Sequence, residues 1–145
     1  MRAALGPHGR IALDTSIFIY ELDAYPQYVE AARAVFEWIL QPGRGAITST
    51  ITMTEVLVGP YKALEEPRAA ALLGLLSQYP QLEWIAPDLE IADAAAQFRV
   101  RYGLRTIDAL QAATAVHAGA TCLIGNDATF RRVKEIEILT LDDYL

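Results

Sequence analysis

The sequence has little of the chemistry that builds disulfide frameworks, zinc sites or membrane spans. Cys122 is the only cysteine among 145 residues, so no internal disulfide can form, and its apolar neighbours predict a buried thiol in a strand. The two histidines, His8 and His117, are distant in sequence and have no second soft ligand nearby, which argues against zinc. No apolar run reaches the roughly 18 residues of a membrane span. Residues 1–10 also lack the apolar segment of a secretory signal, so we expect a soluble cytoplasmic protein with no membrane partner.

Positive charge is also in short supply. The chain carries 12 Lys and Arg against 18 Asp and Glu, a formal net charge of −6. This argues against a general nucleic-acid-binding module, which usually presents a basic face, but not against an enzyme whose acidic groups hold cations. Hydrophobic residues make up 53% of the chain, enough for one sizeable core. Together with the length, this predicts a single domain over residues 1–145.

Short β-like runs alternate with helical runs along the chain, which indicates an α/β domain with a mainly parallel sheet. The predicted strands are 10–14, 46–48, 82–85, 121–124 and 137–141, the last at a sheet edge. The predicted helices begin at Thr15 or Ser16, near Pro26, near Thr50, near Pro67, after Asp88 and at Thr106, with a last short helix around Phe130 and Val133. We expect Gly59-Pro60 to stop the third of these helices at Val58, and Gly103 to end the one capped by Asp88.

Four acidic residues fall where such a fold would bring them together. Asp14 ends the first strand and Asp127 follows the fourth, while Glu55 and Asp108 lie in the early turns of helices. In a parallel α/β sheet the carboxyl ends of strands and the amino ends of helices share one edge, where ligands bind. If the first and fourth strands are neighbours, Asp14 and Asp127 face each other across the switch point. We therefore predict one site containing all four carboxylates.

Such a cluster is costly without a cation. Two carboxylates about 5 Å apart repel by on the order of 3 kcal/mol at an effective dielectric of 20. Ligands that are all oxygen suit Mg²⁺ or Mn²⁺, and Mg²⁺ held by carboxylates and water is the usual partner of phosphate chemistry. The hypothesis is a metal site that hydrolyses phosphodiester bonds.

Each acid also has a simpler interpretation that the sequence leaves open. Asp14 could cap the next helix or form an Asx-turn, and Glu55 could complete a capping box with Thr52. Asp108 could do no more than offset a helix dipole, and Asp127 could belong to a simple turn. The placement of all four acids on one edge of the predicted sheet is what favours a functional site.

The residues around these acids resemble the PIN domain family, and in particular the toxin ribonucleases of VapBC toxin–antitoxin systems. The likeness lies in LDTS at 13–16, TEVLVG at 54–59, GLRTIDALQAATA at 103–115, NDATF at 126–130 and the ending at 138–145. The order and spacing of these segments agree over nearly the whole chain. The segment at 103–115 is quite specific to the family, whereas those at 13–16, 54–59 and 126–130 are weak on their own.

The resemblance implies a three-layer α/β/α sandwich and Mg²⁺- or Mn²⁺-dependent endoribonuclease activity that leaves a 5′-phosphate and a 3′-hydroxyl. It assigns the acidic roles to Asp14, Glu55, Asp108 and Asp127. It also implies a homodimer that is silenced by a co-expressed VapB-like antitoxin. Arg105 could contact an RNA phosphate or be a solvated surface arginine.

One position departs from the family pattern. Many members have Thr or Ser two residues before the fourth acid, where this chain has Gly125. A hydroxyl that could hold a metal-bound water is missing there, although Asn126 could supply a substitute polar group. The alternative function is therefore a catalytically weak or inactive PIN domain that acts as a dimeric interaction module.

Overall fold

A computed structural model describes all 145 residues, and its five strands form one parallel sheet. The strands are β1 (Arg10–Leu13), β2 (Gly45–Ser49), β3 (Leu82–Ile85), β4 (Cys122–Gly125) and β5 (Glu137–Thr140). Their order is β3-β2-β1-β4-β5, with every neighbouring pair parallel. The predicted edge position of β5 is confirmed, and β1 and β4 are neighbours, which is the condition under which Asp14 and Asp127 were expected to face each other. The strand order reverses at β1, so the switch point lies between β1 and β4.

Seven α-helices surround the sheet. They are α1 (Arg2–Leu5), α2 (Thr15–Leu22), α3 (Val29–Ile39), α4 (Thr50–Lys62), α5 (Glu66–Ser77), α6 (Leu89–Tyr102) and α7 (Thr106–His117). Two 3₁₀ helices follow β4 and β5, at Ala128–Arg132 and Leu141–Tyr144. The sequence pattern did not predict α1. No helix combines the length and the apolar character needed to cross a membrane.

Successive side chains of the strands pack into two separate hydrophobic cores, one on each face of the sheet. Ile11 and Leu13 of β1 pack on one face of the sheet with residues from α1 to α5. Ala12, between them, packs on the other face with residues from α6 and α7. Successive strand side chains point to opposite faces, so both faces of β1 are buried. The result is the expected three-layer α/β/α sandwich. Cys122 is fully buried in the first core and free, as predicted, and burial raises the pKa of its thiol to about 12.

The predicted helix ends are partly right. The Asp88 side chain accepts a hydrogen bond from the Ile91 amide and caps α6, which ends at Gly103 with a left-handed φ of 66°. The predicted stop of α4 at Val58 is wrong, because the helix continues through Pro60 to Lys62. Proline removes one amide donor, but the Ala63 amide still donates to the Gly59 carbonyl at 3.1 Å and closes the last turn.

Candidate active site

The four predicted acids all lie at the edge of the sheet where the strands end. Asp14 directly follows β1, and its amide donates to the Ile124 carbonyl of β4 at 2.9 Å. Asp127 lies two residues after β4. Glu55 is in the second turn of α4 and Asp108 in the first turn of α7. The strand and helix placement inferred from the sequence therefore holds for each of the four positions.

Asp14 combines a capping role with an unfavourable environment for its charge. Its Oδ2 accepts hydrogen bonds from the Ser16 hydroxyl at 2.9 Å and the Ser16 amide at 3.3 Å, so it caps α2. Burial nevertheless raises the pKa of Asp14 to about 6, and repulsion from the Glu55 carboxylate acts in the same direction. The simpler interpretation as a helix cap is thus correct, but it does not account for the second carboxylate nearby.

Glu55 is held from another helix. The Thr15 hydroxyl of α2 donates to Glu55 Oε1 at 2.6 Å. The capping box with Thr52 is wrong, because α4 begins at Thr50 and its cap is Ser49, whose hydroxyl accepts from the Ile51 amide at 3.2 Å. Glu55 is therefore tied to the residue next to Asp14 and not to the start of its own helix.

Arg105 brings a positive charge to the other two acids. Its Nε donates to Asp108 Oδ2 at 2.9 Å, and its Nη2 lies 3.6 Å from Asp127 Oδ2. The same guanidinium is close enough to Glu55 for their charges to attract. A backbone hydrogen bond from Thr129 is the main cause that lowers the pKa of Asp127, and Arg105 adds to it. Arg105 is thus one cation shared by three of the four acids, although its side chain remains 80% exposed.

The donor set fits a hard divalent cation in its chemistry. All the donors are carboxylate oxygens, one of them on an aspartate that burial makes reluctant to ionise. In this arrangement, however, no three Asp, Glu, His or Cys side chains converge closely enough to hold a metal ion. Asp108 and Asp127 are turned towards Arg105, and Glu55 towards Thr15. Metal binding would therefore require side-chain rotations at these residues.

A layer of polar side chains beneath the acids was not singled out from the sequence as functional. Thr52 and Gln111 are both buried, and Gln111 Nε2 donates to the hydroxyls of Thr52 at 2.9 Å and Thr15 at 3.2 Å. The sequence does contain one feature that could have indicated this layer, a glutamine within the apolar run 109–116. Gln111 lies three residues after Asp108, which places both side chains on the same face of α7.

Comparison with known proteins agrees with this architecture. Residues 11–136 match the family model of the PIN domain, and this segment contains all four acids. The chain belongs to the PIN domain family. No curated protein sequence matches it significantly.

Solved structures similar to this PIN domain include toxin–antitoxin complexes and a toxin. A toxin–antitoxin complex from Klebsiella pneumoniae aligns at 26% identity and TM-score 0.65, covering 90% of this chain and 97% of that one. VapBC2 from Rickettsia felis, bound to a DNA fragment from the promoter, aligns at 18% identity and TM-score 0.72, covering 90% and 98%. VapC20 from Mycobacterium tuberculosis, a sarcin-ricin loop cleaving toxin, aligns at 18% and TM-score 0.67, covering 88% and 98%. At 18% identity, the last two similarities establish the fold alone.

Proposed function

We propose that this PIN domain is a Mg²⁺- or Mn²⁺-dependent endoribonuclease and the toxin of a type II toxin–antitoxin system. The observation that carries the proposal is the gathering of Asp14, Glu55, Asp108 and Asp127 at one edge of a PIN-fold sheet. The similarity to a Klebsiella pneumoniae toxin–antitoxin complex supports the toxin role. RNA is proposed as the substrate because VapC20, which shares the fold, is a sarcin-ricin loop cleaving toxin.

In this proposal Asp14, Glu55 and Asp108 would hold the divalent ion, directly or through water, and Asp127 would orient a water or a further ion. A bound divalent ion supplies a water of lowered pKa and neutralises charge that develops on the phosphate. Ser16 and Thr15 fix the orientations of Asp14 and Glu55 through hydrogen bonds at 2.9 and 2.6 Å. Arg105, which is mostly exposed, contacts an RNA phosphate once metal has taken over the carboxylates.

A VapB-like antitoxin is the proposed protein partner, and a homodimer the proposed assembly. Support for both comes from large apolar side chains left exposed on α4 and α5, among them Tyr61 and Leu75 at 54% and 60% exposure. Exposed apolar side chains that cluster on neighbouring elements are typical of protein interfaces. Beside them, Phe18, Leu22 and Leu75 line a cleft between α2 and α5 that suits an apolar peptide segment.

The test is RNA cleavage by the wild type and by Asp14→Asn, with and without added Mg²⁺. Wild type should cleave only with the ion, and Asp14→Asn should lose the activity. Asp143→Asn is a matched control, because the partners of the Asp143 carboxylate, Arg131 and Thr140, bond to none of the four acids. Equal cleavage by the wild type and Asp14→Asn would refute the metal-site model.

The second candidate is an inactive PIN domain that serves as a dimeric interaction module. Gly125 favours it, because that residue lies beside Asp14 and offers no hydroxyl. Thermal melting during a Mg²⁺ titration separates the two candidates. A competent site stabilises the fold as the ion concentration rises, by mass action, whereas an inactive one leaves the melting temperature unchanged.

A further inference from the structure

Asp14, Glu55 and Asp108 each have a buried polar residue within three positions of them in the sequence. Thr15 follows Asp14, Thr52 precedes Glu55 by three residues on α4, and Gln111 follows Asp108 by three residues on α7. The relative exposures of Thr15, Thr52 and Gln111 are 5%, 0% and 3%. A spacing of three residues places two side chains on the same face of a helix. The three polar residues therefore form a second layer beneath the acids.

The polar atoms of the three buried residues lie within hydrogen-bonding distance of one another and form a triangle. Gln111 Nε2 lies 2.9 Å from the Thr52 hydroxyl and 3.2 Å from the Thr15 hydroxyl, and these two hydroxyls lie 3.0 Å apart. The triangle joins α2, α4 and α7, the three helices that carry or follow Asp14, Glu55 and Asp108. Gln111 is the only residue of α7 whose side chain hydrogen-bonds to both α2 and α4.

Donor and acceptor counting gives the triangle a direction. The amide nitrogen of Gln111 carries two hydrogens and accepts none, so both threonine hydroxyls act as acceptors towards it. The Thr15 hydrogen is then free to point at Glu55 Oε1, 2.6 Å away. Below the triangle, the Thr48 hydroxyl donates to the Leu13 carbonyl at 2.9 Å and lies 2.9 Å from the Thr52 hydroxyl. The Thr52 hydroxyl has one hydrogen for its two hydroxyl neighbours. When it donates to Thr48, a continuous chain of bonds runs from the Leu13 carbonyl through Thr48, Thr52, Gln111 and Thr15 to the Glu55 carboxylate.

We propose that Gln111 is the positioning residue that sets the spacing of the acidic site. It does so by holding the hydroxyls of Thr15 and Thr52, which in turn fix Glu55 and the start of α2. Gln111 itself touches neither metal nor RNA. This inference rests on the proposed function, because it assigns Gln111 a role in the affinity of that site for a divalent ion.

The size of the expected effect follows from other metal sites. Residues that orient metal ligands through hydrogen bonds change metal affinity by about 10- to 100-fold when replaced. A residue that only fills the core would instead lower stability and leave metal affinity unchanged. Metal affinity and stability, measured on the same variants, therefore distinguish the two roles.

The experiment compares Gln111→Met with Thr114→Val. Methionine keeps the length of glutamine but donates no hydrogen bond. Thr114 is the matched control, since it is fully buried on the same helix but donates only to the Leu110 carbonyl of its own helix, at 2.7 Å. Mn²⁺ affinity is measured by calorimetry, and thermal melting and RNA cleavage are measured in parallel. We expect Gln111→Met to bind Mn²⁺ about ten-fold or more weakly, and Thr114→Val to bind it as the wild type does.

A second pair of variants keeps the test decisive if Gln111→Met does not fold. Thr52→Ser retains the hydroxyl that Gln111 bonds, and Thr52→Val removes it while leaving the direct bond from Thr15 to Glu55 in place. Serine should keep wild-type Mn²⁺ affinity and valine should lose it. Wild-type affinity in either Gln111→Met or Thr52→Val overturns the positioning role alone. A wild-type protein that binds no Mn²⁺ overturns the proposed function and this inference together.

Discussion

A β-carbon added to Gly125 would lie 3.2 Å from the β-carbon of Asp14. The same added atom would lie 3.4 Å from two ring atoms of Phe130, on its other side. Gly125 ends β4 and is the neighbour of Asp14 across the switch point, since Leu13 pairs with Ile124. The absence of a side chain at Gly125 therefore has a second effect besides the loss of a hydroxyl. It leaves room for the Asp14 side chain to pack beside β4.

Replacing Gly125 by alanine should shift Asp14 and weaken the proposed metal site. We expect Mn²⁺ affinity to fall several-fold, with a loss of about 1 kcal/mol in the free energy of unfolding from overpacking. Calorimetry and denaturant titration measure the two effects. Gly74→Ala is the control, because a β-carbon there meets no atom within 4 Å on α5. It should stabilise the protein by about 0.5–1 kcal/mol and leave Mn²⁺ binding unchanged. An unchanged affinity in Gly125→Ala would show that Asp14 has room to adjust.

Removing the Arg105 side chain should raise the affinity for a divalent ion and lower the affinity for RNA. Its guanidinium competes with a divalent ion for Asp108 and Asp127, so Arg105→Ala should bind Mn²⁺ more tightly than the wild type. The same variant should bind RNA more weakly, because a phosphate contact is lost. Calorimetry with Mn²⁺, and a filter-binding titration of a non-hydrolysable RNA analogue at saturating Mn²⁺, measure the two affinities.

Arg105→Lys serves as the control for charge in that comparison. Lysine keeps the positive charge but cannot make the forked contact to two carboxylates. It should fall between the wild type and Arg105→Ala in both affinities. A joint fall of metal and RNA affinity in Arg105→Ala would contradict competition and would indicate that Arg105 organises the site.

Stability without metal should depend on pH through Asp14. An aspartate that titrates near 3.8 when unfolded and near 6 when folded binds its proton more tightly in the folded state. Its ionised form therefore costs stability above pH 6, by up to about 3 kcal/mol, and this cost disappears as the pH falls towards 4. Asp14→Asn should accordingly be more stable than the wild type at pH 8 in chelator, with the difference vanishing near pH 4.

Adding Mg²⁺ at pH 8 provides the complementary measurement. The ion should stabilise the wild type and leave Asp14→Asn unchanged, which narrows or reverses the difference between them. Thermal melts of the wild type and Asp14→Asn over pH 4–8, each with and without Mg²⁺, measure these differences in stability. A wild type that is more stable than Asp14→Asn at pH 8 without metal would show that the buried charge is already compensated.

The cleft between α2 and α5 should be required for the protein partner and not for cleavage. Leu75→Glu places a charge in this cleft, where Leu75 is 60% exposed. We expect loss of co-purification with an antitoxin encoded beside this gene, and unchanged cleavage of RNA. Leu89→Glu is the control, because Leu89 is 89% exposed on α6, on the other face of the sheet. Equal loss of binding in both variants would place the partner elsewhere.

Much of the fold could be predicted because its signals are local. The strand runs, the Asp88 cap and the Gly103 stop depend on residues within one turn of each other, and all three were predicted correctly. The end of α4 was not, since Pro60 is tolerated in a last turn that Ala63 closes by bonding to Gly59. Proline rules are statistical, and a helix can pass a proline where the following turn still forms its hydrogen bonds.

The acidic edge could also be predicted, whereas the contacts of its members could not. Strand ends and helix starts place Asp14 and Asp108 on one side of any parallel sheet. The bond from Thr15 to Glu55 and the pairing of Arg105 with Asp127 join distant parts of the chain. Such contacts depend on how the helices pack, and no spacing rule within a single element contains that information.

The central position of β1 has a consequence for how the protein is made. β1 begins at Arg10 and leaves the ribosome long before its partner on one side, β4, which begins only at Cys122. Contacts between segments so far apart in sequence form late in folding. A nascent chain that has not yet reached Cys122 lacks Asp127 and leaves one side of β1 unpaired. The acidic edge is therefore assembled only after β4 has left the ribosome, and a fragment that stops before β4 should contain neither the complete sheet nor the complete set of four acids.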